Sequence, residues 1–314
     1  MAKYRIGIIG FGKIAQDQHL PAIKANPDFE LAALSSTKGL TDDYAQHTFT
    51  DWKKMIAETP DLHAVAICTP PGPRRDIARD CLAAGKSVLL EKPPAGTTAE
   101  VEDIARLAKA AGKVAFGTFH AQYNSGVDAA KAALAGKTVK RLEVVWKEDV
   151  NRWHPGQAWV FEAGGMGVFD PGINALSICT KILPAPIFVK TAELSFPANK
   201  GAPIAADLTF GSGAAGAESM TAVFDWRQTG PQTWDITVET VEGGTVKLTS
   251  GGSKLEVDGK VVVDAPEQEY PLIYKRFAEL LDKGESELNA APFRLLADAF
   301  MVGKRVEVDP FTAF

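Results

Sequence analysis

One short glycine-containing segment near the start of the chain restricts the possible folds more than any other. Residues 4–9 form a compact apolar run typical of a β-strand, and GFGKIA at 10–15 follows it and opens a helix. In this GxGxxA pattern the first glycine permits a tight turn, the second lets a diphosphate approach the backbone, and the alanine allows close helix–sheet packing. The helix N-terminus adds free amide groups and the positive end of a dipole. The pattern predicts a dinucleotide-binding domain of the Rossmann type.

The first third of the chain alternates strand and helix signals. Several strands are apolar at successive residues, which is typical of strands buried on both faces of a sheet. Strands separated by helices of this length favour a doubly wound parallel sheet of the α/β class. The predicted strands are 4–9, 29–34, 64–68, 87–90 and 114–116, and the predicted helices include 75–84 and 101–111.

The pattern changes after about residue 120. Residues 234–239 alternate strictly between apolar and polar side chains, as in an antiparallel sheet with one apolar and one polar face. We therefore predict two domains, a Rossmann domain at 1–121 and an α+β domain at 122–314, whose last helix is compatible with packing back on the first. The predicted elements are strands at 141–147, 205–210, 219–226, 234–241 and 245–248, and helices at 127–134, 274–281 and 293–301, and Asp-Gly at 258–259 is a signal for a hairpin turn.

Polar side chains follow the second predicted strand, where NAD-preferring domains usually place Asp or Glu to bind the ribose hydroxyls. Hydroxyls and an ammonium group stand here instead, and these suit a 2′-phosphate, which favours NADP or use of both NADP and NAD. A solvated loop of chance composition is the alternative. A second segment, 68–70, follows a buried strand where the dinucleotide would cross the sheet edge. The predicted contacts are Gly10, Phe11, Gly12, Lys13, Ile14, Ser36, Thr37, Lys38, Cys68, Thr69 and Pro70.

The composition excludes several classes of partner. The chain has 34 basic and 39 acidic residues and a net charge of −5, whereas a general nucleic-acid binder needs a basic face. No apolar run approaches the roughly 20 residues that a bilayer-spanning helix needs, and no signal peptide is recognisable. The three cysteines form no CxxC pair or Cys/His cluster, so neither a metal site nor a disulfide framework is expected. We predict a cytoplasmic protein without nucleic-acid, membrane or metal partners.

Four segments, in this order, resemble the glucose–fructose oxidoreductase/inositol dehydrogenase/MocA (Gfo/Idh/MocA) family. They are GIIGFGKIA at 7–15, TPP at 69–71, AGKSVLLEKP at 84–93 and GGMGVFDPGIN at 164–174. The resemblance implies a Rossmann domain followed by a domain with a large, mainly antiparallel open-faced sheet, and a substrate bound between them. It assigns substrate binding and oligomerisation to the second domain, with homodimers or homotetramers formed through that sheet.

The resemblance places the catalytic lysine of the family at Lys92 and adds Glu91 and Lys92 to the expected dinucleotide contacts. A lysine at a strand end can donate hydrogen bonds to a reacting oxygen and, with a lowered pKa, relay a proton. Without the resemblance, a surface ion pair would be the simpler interpretation of this lysine. The Lys92–Pro93 bond is a candidate cis peptide, because X–Pro bonds adopt cis at low cost.

Asp170 and Asn174 are four residues apart and would share one face of a helix. Many members of the family have a histidine where Asn174 stands, and that histidine is the usual base. Asparagine cannot accept a proton in the working pH range, so the role of base moves to Asp170, with Lys92 assisting. Asp170 could also cap a helix that starts at Pro171, a position that Asp favours, and the two roles are compatible.

The segment KEDVNRWHPGQ at 147–157 combines polar and aromatic groups. Sugars are bound by such mixtures, because carboxylates and amides pair with hydroxyls while an aromatic face covers C–H groups. We select Glu148, Trp153 and His154 as substrate contacts, and His154 is a rival base because its pKa lies near neutrality. His120 follows the last Rossmann strand and is expected either to touch substrate or nicotinamide or to be structural.

This polar segment and the DPGIN motif together resemble a narrower branch, the bacterial aldose 1-dehydrogenases that act on D-galactose and L-arabinose. The branch implies oxidation of an aldopyranose at C1 to the lactone, with a hydride passed to NADP or NAD. In that scheme Asp170 accepts the anomeric proton, Lys92 polarises its oxygen, and Glu148, His154 and Asn174 orient the ring. The alternatives are a dehydrogenase of another polyol, such as an inositol, and a catalytically silent dinucleotide-binding sensor.

Overall fold

The computed structural model describes residues 4–162 and 164–312, and the chain divides into two compact units. The first unit comprises the chain up to His120 together with Glu269–Ala290. The second comprises Ala121–Gln268 and the chain from Ala291 onward. A segment from the C-terminal third of the sequence therefore belongs to the N-terminal unit.

The first unit contains a six-stranded parallel sheet in the order β3-β2-β1-β4-β5-β6. This order reverses next to β1, which places the β1–helix turn at the edge where open α/β sheets bind their ligands. The parallel sheet is confirmed, and β3 is the one strand of it that the sequence did not predict. The strands are β1 (Tyr4–Ile9), β2 (Phe29–Ser35), β3 (His47–Phe49), β4 (Ala64–Ile67), β5 (Ser87–Glu91) and β6 (Ala115–Thr118).

Capping residues and a glycine mark the ends of one long helix of the first unit. The first becomes helical at Lys13 and contains a π-helical turn, Ala15–His19, before α1. Helix α4 begins at a capping box formed by Thr97 and Glu100, and it ends at Gly112, whose φ of 60° is the left-handed conformation that glycine adopts readily. The helices are α1 (Leu20–Ala25), α2 (Trp52–Glu58), α3 (Arg74–Ala83), α4 (Thr98–Ala111) and α8 (Glu269–Lys283).

The second unit contains a nine-stranded sheet in the order β14-β13-β12-β11-β7-β10-β9-β8-β15. Most neighbours are antiparallel, as expected, but β7–β10 and β8–β15 are parallel pairs. Strands β8, β13, β14 and β15 are absent from the predicted strands. The strands are β7 (Val139–Lys147), β8 (Ile187–Pro197), β9 (Ala205–Ser212), β10 (Ser219–Asp225), β11 (Thr233–Thr240), β12 (Thr245–Thr249), β13 (Lys254–Val257), β14 (Lys260–Asp264) and β15 (Lys304–Val308).

One face of this sheet is covered by helices of the same unit. Alternate residues of β10 and β11 are buried, and α7 is buried along most of its length. The turn between β13 and β14 places Asp258 and Gly259 at positive φ, which matches the Asp-Gly hairpin signal in the sequence. The helices are α5 (Val127–Leu134), α6 (Val150–Trp153), α7 (Phe169–Ile182) and α9 (Ala291–Val302).

None of the helices in the described part of the chain combines the length and hydropathy that a bilayer crossing requires. No group of three His, Cys, Asp or Glu side chains at residues 4–162 and 164–312 has a metal-binding arrangement.

Candidate active site

The turn between β1 and the first helix has the space that a dinucleotide diphosphate requires. Gly10 has a φ of +89°, and a Cβ placed on it would lie 2.8 Å from the backbone nitrogen of Thr69. A Cβ on Gly12 would meet nothing within 4 Å, so the space beside the helix start is open. The buried Thr69 hydroxyl has no hydrogen-bond partner among the described residues. These features fit a bound dinucleotide, with Gly10 shaping the turn and Gly12 leaving room for phosphate.

The predicted dinucleotide contacts lie at the turn or at the carboxyl ends of β2, β4 and β5. At the turn Phe11 is buried, Ile14 is half-buried, and Lys13 is exposed and paired with Asp17. After β2, Ser36 is buried and its N–H donates to the Phe49 carbonyl at 2.9 Å, whereas the next two residues are exposed. After β4, Cys68 is buried and Pro70 is exposed. The exposed pair after β2 is Thr37 and Lys38.

Lys92 follows the last residue of β5 and is half-buried. The Lys92–Pro93 peptide is cis, as predicted. The backbone N–H of Lys92 donates to Oε2 of Glu91 at 2.9 Å. Oε1 of the same carboxylate accepts from the Tyr270 hydroxyl at 2.7 Å and lies 3.0 Å from Nε2 of His19. Groups of the protein therefore bind both oxygens of Glu91, which sequence reasoning assigned to the dinucleotide.

A buried arginine that sequence reasoning missed holds the same turn. Arg74 is 4% exposed, and its guanidinium donates to the carbonyl oxygens of Glu91 and Pro93 and, at 2.8 Å, to that of Thr69. It thus links the segment after β4 to the carbonyl groups of the residues on either side of Lys92. Its position in the first turn of a helix after TPP carries no sequence signal that distinguishes it from a surface arginine.

His19 and Glu91 form a buried ion pair. Burial alone lowers the pKa of His19, but Cys68, Tyr274 and the hydrogen bond to Glu91 outweigh it and raise that pKa well above its ordinary value. Burial alone raises the pKa of Glu91, but the hydrogen bond and charge of His19, with smaller contributions from His120 and Arg74, hold it well below its usual range. The two shifts run in opposite directions, and each favours the charged form of its own group.

His120 lies beside this pair, in the same unit. Its Nδ1 is 2.7 Å from Oε2 of Glu269, and its ring stacks on Tyr270 at 5.8 Å between centroids. Burial lowers the pKa of His120, and Glu269 and Glu91 raise it overall against an opposing effect of Lys92.

In the second unit, Asp170 lies in the first turn of α7 and is 6% exposed. The expectation that it caps a helix starting at Pro171 is wrong, because α7 begins at Phe169 and its N-cap is Val168, without a side-chain cap. Two glycines shape the approach to this helix. A Cβ on Gly165 would lie 2.3 Å from the Trp159 carbonyl oxygen, and Gly167 has a φ of +54°.

Asp170 is paired with a histidine from the polar segment after β7. Nε2 of His154 lies 3.4 Å from Oδ2 of Asp170, and the imidazole packs on Trp226 at 5.1 Å between ring centroids. Asn174, one turn beyond Asp170, is the first residue of α7 that is not buried. The structure thus brings together the two candidate bases, and Asn174 marks the face of α7 that is open.

Glu148 is buried and its carboxylate binds two tryptophans of the same unit. Oε1 accepts from the Trp226 indole at 3.2 Å, and Oε2 accepts from the Trp234 indole at 2.9 Å. Trp153 is 39% exposed and its ring lies 5.4 Å from that of Trp234. Trp153 and Trp234 line an open groove of about 400 Å³. Sequence reasoning selected Glu148 but not the two tryptophans that hold it.

A model described as an oxidoreductase family with an NAD-binding Rossmann fold matches residues 4–119. A galactose 1-dehydrogenase from Pseudomonas fluorescens is 40% identical over 311 residues, which are 99% of each chain. The chain belongs to the Gfo/Idh/MocA family of oxidoreductases. The resemblance found from the four sequence segments is confirmed.

One solved structure supports this assignment, and a more distant one shares the fold. A D-galactose-1-dehydrogenase from Rhizobium etli is 48% identical and matches with a TM-score of 0.93 over 99% of both chains. A 3-ketoreductase from Actinomadura kijaniata, solved with NADP and TDP-benzene, matches with a TM-score of 0.83 over 98% of this chain and 100% of its own, at 17% identity. At that identity the second match establishes the shared fold alone.

Proposed function

We propose that this oxidoreductase oxidises D-galactose at C1 to the aldonolactone and favours NADP over NAD. The supporting observation is the similarity over 99% of the chain to two galactose 1-dehydrogenases, at 40% and 48% identity. Retention of both Lys92 and Asp170 agrees with an active enzyme. L-arabinose stays a predicted second substrate, because its pyranose ring differs from that of galactose only at C5.

Asp170 is the proposed proton acceptor for the anomeric hydroxyl. Its carboxylate is buried at the start of α7, and its neighbour His154, with Nε2 3.4 Å from Oδ2 of Asp170, can orient that carboxylate for proton transfer. Lys92 donates a hydrogen bond to the same hydroxyl oxygen and stabilises the negative charge that develops there as the proton leaves. A bound nicotinamide supplies the acceptor for the C1 hydride.

The remaining predicted substrate residues receive different roles. We propose that Asn174, which is partly exposed, binds a ring hydroxyl and that His120 supports Lys92. Glu148 fixes the two indoles that it binds, because both of its carboxylate oxygens already accept hydrogen bonds. Trp153 contributes an aromatic face to its groove, a geometry suited to the C–H face of a sugar.

A substrate panel tests the proposed activity. NADP and NAD reduction is followed with D-galactose, L-arabinose, D-glucose and myo-inositol. We expect kcat/KM for D-galactose with NADP to exceed that for D-glucose by about tenfold or more, because a buried group left unpaired by the C4 epimer costs about 1–3 kcal/mol. Fastest turnover of myo-inositol, or no reduction with any aldose, would contradict the proposal.

The preference for NADP is proposed to depend on the exposed residues after β2. Lys38→Ala should raise KM for NADP about tenfold and leave KM for NAD within about twofold, because a hydrogen bond to a charged group contributes roughly 1.5 kcal/mol and NAD lacks the 2′-phosphate. Lys53→Ala, an exposed lysine of the same unit on α2, is the matched control. Equal changes for the two dinucleotides would rule out recognition of the 2′-phosphate by Lys38.

We also propose that the enzyme forms a homodimer or homotetramer through the open face of the nine-stranded sheet. On β7, β10 and β11 the residues between the buried ones are exposed or half-buried, so this face can contact another copy.

A cytoplasmic location remains a prediction, and it agrees with three free, buried cysteines, which suit a reducing compartment.

A further inference from the structure

We propose that His19, Glu91 and Tyr270, hereafter the Glu91 network, are positioning residues that fix Lys92 for the reaction. The inference rests on the proposed function in one respect, that Lys92 acts on the reacting oxygen. The network touches Lys92 through its backbone, because the Lys92 N–H donates to the Glu91 carboxylate at 2.9 Å. Glu91 therefore acts through Lys92 and not as a dinucleotide contact.

The Glu91 carboxylate is held from two sides by groups that are themselves buried. His19 is 0% exposed, Tyr270 is 3% exposed and Glu91 is 3% exposed. His19 reaches Glu91 from the π-helical turn after the glycine-rich segment, and Tyr270 reaches it from α8. The rings of His19 and Tyr270 meet edge to face at 4.9 Å between centroids. Two separate elements thus fix the one carboxylate that holds the Lys92 backbone.

Arg74 constrains the same segment through hydrogen bonds to backbone carbonyl groups. Arg74 donates to the carbonyl oxygens of Glu91 and Pro93, one on each side of Lys92. The Lys92 backbone is therefore held through its N–H by Glu91 and through the flanking carbonyls by Arg74. These hydrogen bonds fix the Lys92 backbone, from which the half-buried lysine side chain extends.

Stability alone is a poor explanation for this arrangement. The other residues of β5 include Val88, Leu89 and Leu90, all fully buried, and an apolar residue at position 91 would continue that pattern. Burying a carboxylate and an imidazolium requires extensive desolvation, and a buried ion pair often contributes no more stability than apolar residues of similar volume. Placement beside a catalytic lysine gives the pair a different use, because displacement of a reacting group by about 1 Å can lower the rate about a hundredfold.

Two variants test the network through turnover. Tyr270→Phe removes only the hydroxyl that donates to Glu91, and Glu91→Gln removes the charge. We expect kcat to fall about threefold in the first and about thirtyfold in the second, while KM for the sugar and Kd for NADP change less than about threefold, because a partly displaced Lys92 affects the reacting oxygen more than binding. Tyr4→Phe is the matched control, since it removes a tyrosine–carboxylate hydrogen bond to Asp282 of α8 at an exposed site, and its kcat should remain unchanged.

Hydrogen exchange measures the positioning directly and does not depend on activity. The two residues after Lys92 are prolines without amide hydrogens. A peptide over 90–95 therefore reports mainly the Lys92 and Ala95 amides, because its first two residues lose their label by fast back-exchange. Exchange at Lys92 should be about tenfold faster or more in Glu91→Gln and unchanged in Tyr4→Phe, because exchange follows local opening of the hydrogen bond.

The two measurements separate the possible failures. If the Lys92 amide exchanges faster in Glu91→Gln but the wild-type protein oxidises no aldose, the network is supported and the proposed function is rejected. Unchanged exchange with unchanged kcat in Glu91→Gln would overturn the network. A Kd for NADP raised more than about tenfold, with kcat intact at saturating NADP, would also overturn it, because that result makes Glu91 a dinucleotide contact. If Glu91→Gln does not fold, Tyr270→Phe replaces it. Unchanged Lys92 exchange together with unchanged kcat in Tyr270→Phe, relative to Tyr4→Phe, would then overturn the network.

Discussion

Replacing Asp170 with asparagine should lower kcat about a thousandfold while the protein remains folded, because a positioned general base contributes about 10²–10⁴ to the rate. The amide keeps the size and one acceptor oxygen of the carboxylate but cannot take the anomeric proton. A thousandfold loss corresponds to about 4 kcal/mol in the activation barrier. Loss of the favourable interaction between a carboxylate and the first turn of α7 costs only about 0.3–1 kcal/mol of stability, so the catalytic effect should dominate.

Steady-state kinetics at saturating NADP and D-galactose measure this effect, and calorimetric titration measures the Kd for NADP. The Kd should stay within about twofold of wild type, because Asp170 is proposed to bind the sugar hydroxyl and is not among the proposed dinucleotide contacts. Asp264→Asn, an exposed carboxylate on β14, is the matched control and should leave kcat unchanged. A near-normal kcat in Asp170→Asn would remove the assignment of the base.

The rival base is tested by the neighbouring residue. His154→Gln should lower kcat about tenfold, because it removes a hydrogen-bonding partner of Asp170 and leaves the carboxylate in place. If the histidine variant loses a thousandfold and Asp170→Asn only tenfold, the two roles exchange: His154 then takes the proton and Asp170 orients it, as in a carboxylate–imidazole pair.

The features that local sequence could predict are those that depend on neighbouring residues. GxGxxA after an apolar strand identifies the turn at Gly10 because the requirement for positive φ and for open space is local. The Asp-Gly hairpin at 258–259 follows for the same reason. The alternating and continuous apolar runs predicted both sheets, because each strand is buried on one face or on both.

Features that depend on distant pairing were not predictable in this way. Glu91 contacts residues separated from it by 72 and 179 positions, and no local pattern relates them. One signal was present: a carboxylate at the end of an otherwise apolar buried strand requires a partner. The parallel pairing of β8 with β15 and the place of α8 in the first unit likewise depend on long-range packing. The helix start at Phe169 was missed because Pro171 resembles a first helical residue.

Lys92→Met should lower kcat about a hundredfold or more, because it removes the ammonium group proposed to stabilise charge on the reacting oxygen, and loss of one such donor costs about 10²–10³ in kcat. Methionine keeps most of the side-chain length and is compatible with the half-buried site. Lys92→Arg should recover only part of the loss, because the planar guanidinium holds its charge in a different geometry and does not give up a proton.

Kinetics with D-galactose and NADP separate this catalytic effect from dinucleotide binding. If Lys92 acts on the reacting oxygen, the loss appears in kcat, and KM for NADP rises by less than about tenfold. Lys109→Met on the exposed face of α4 removes an ammonium group from the same unit and should leave both constants unchanged. A large rise in KM for NADP with wild-type kcat would restrict Lys92 to dinucleotide binding. The Glu91 network would then position a binding group, because its hydrogen bond to the Lys92 backbone is independent of what the side chain contacts.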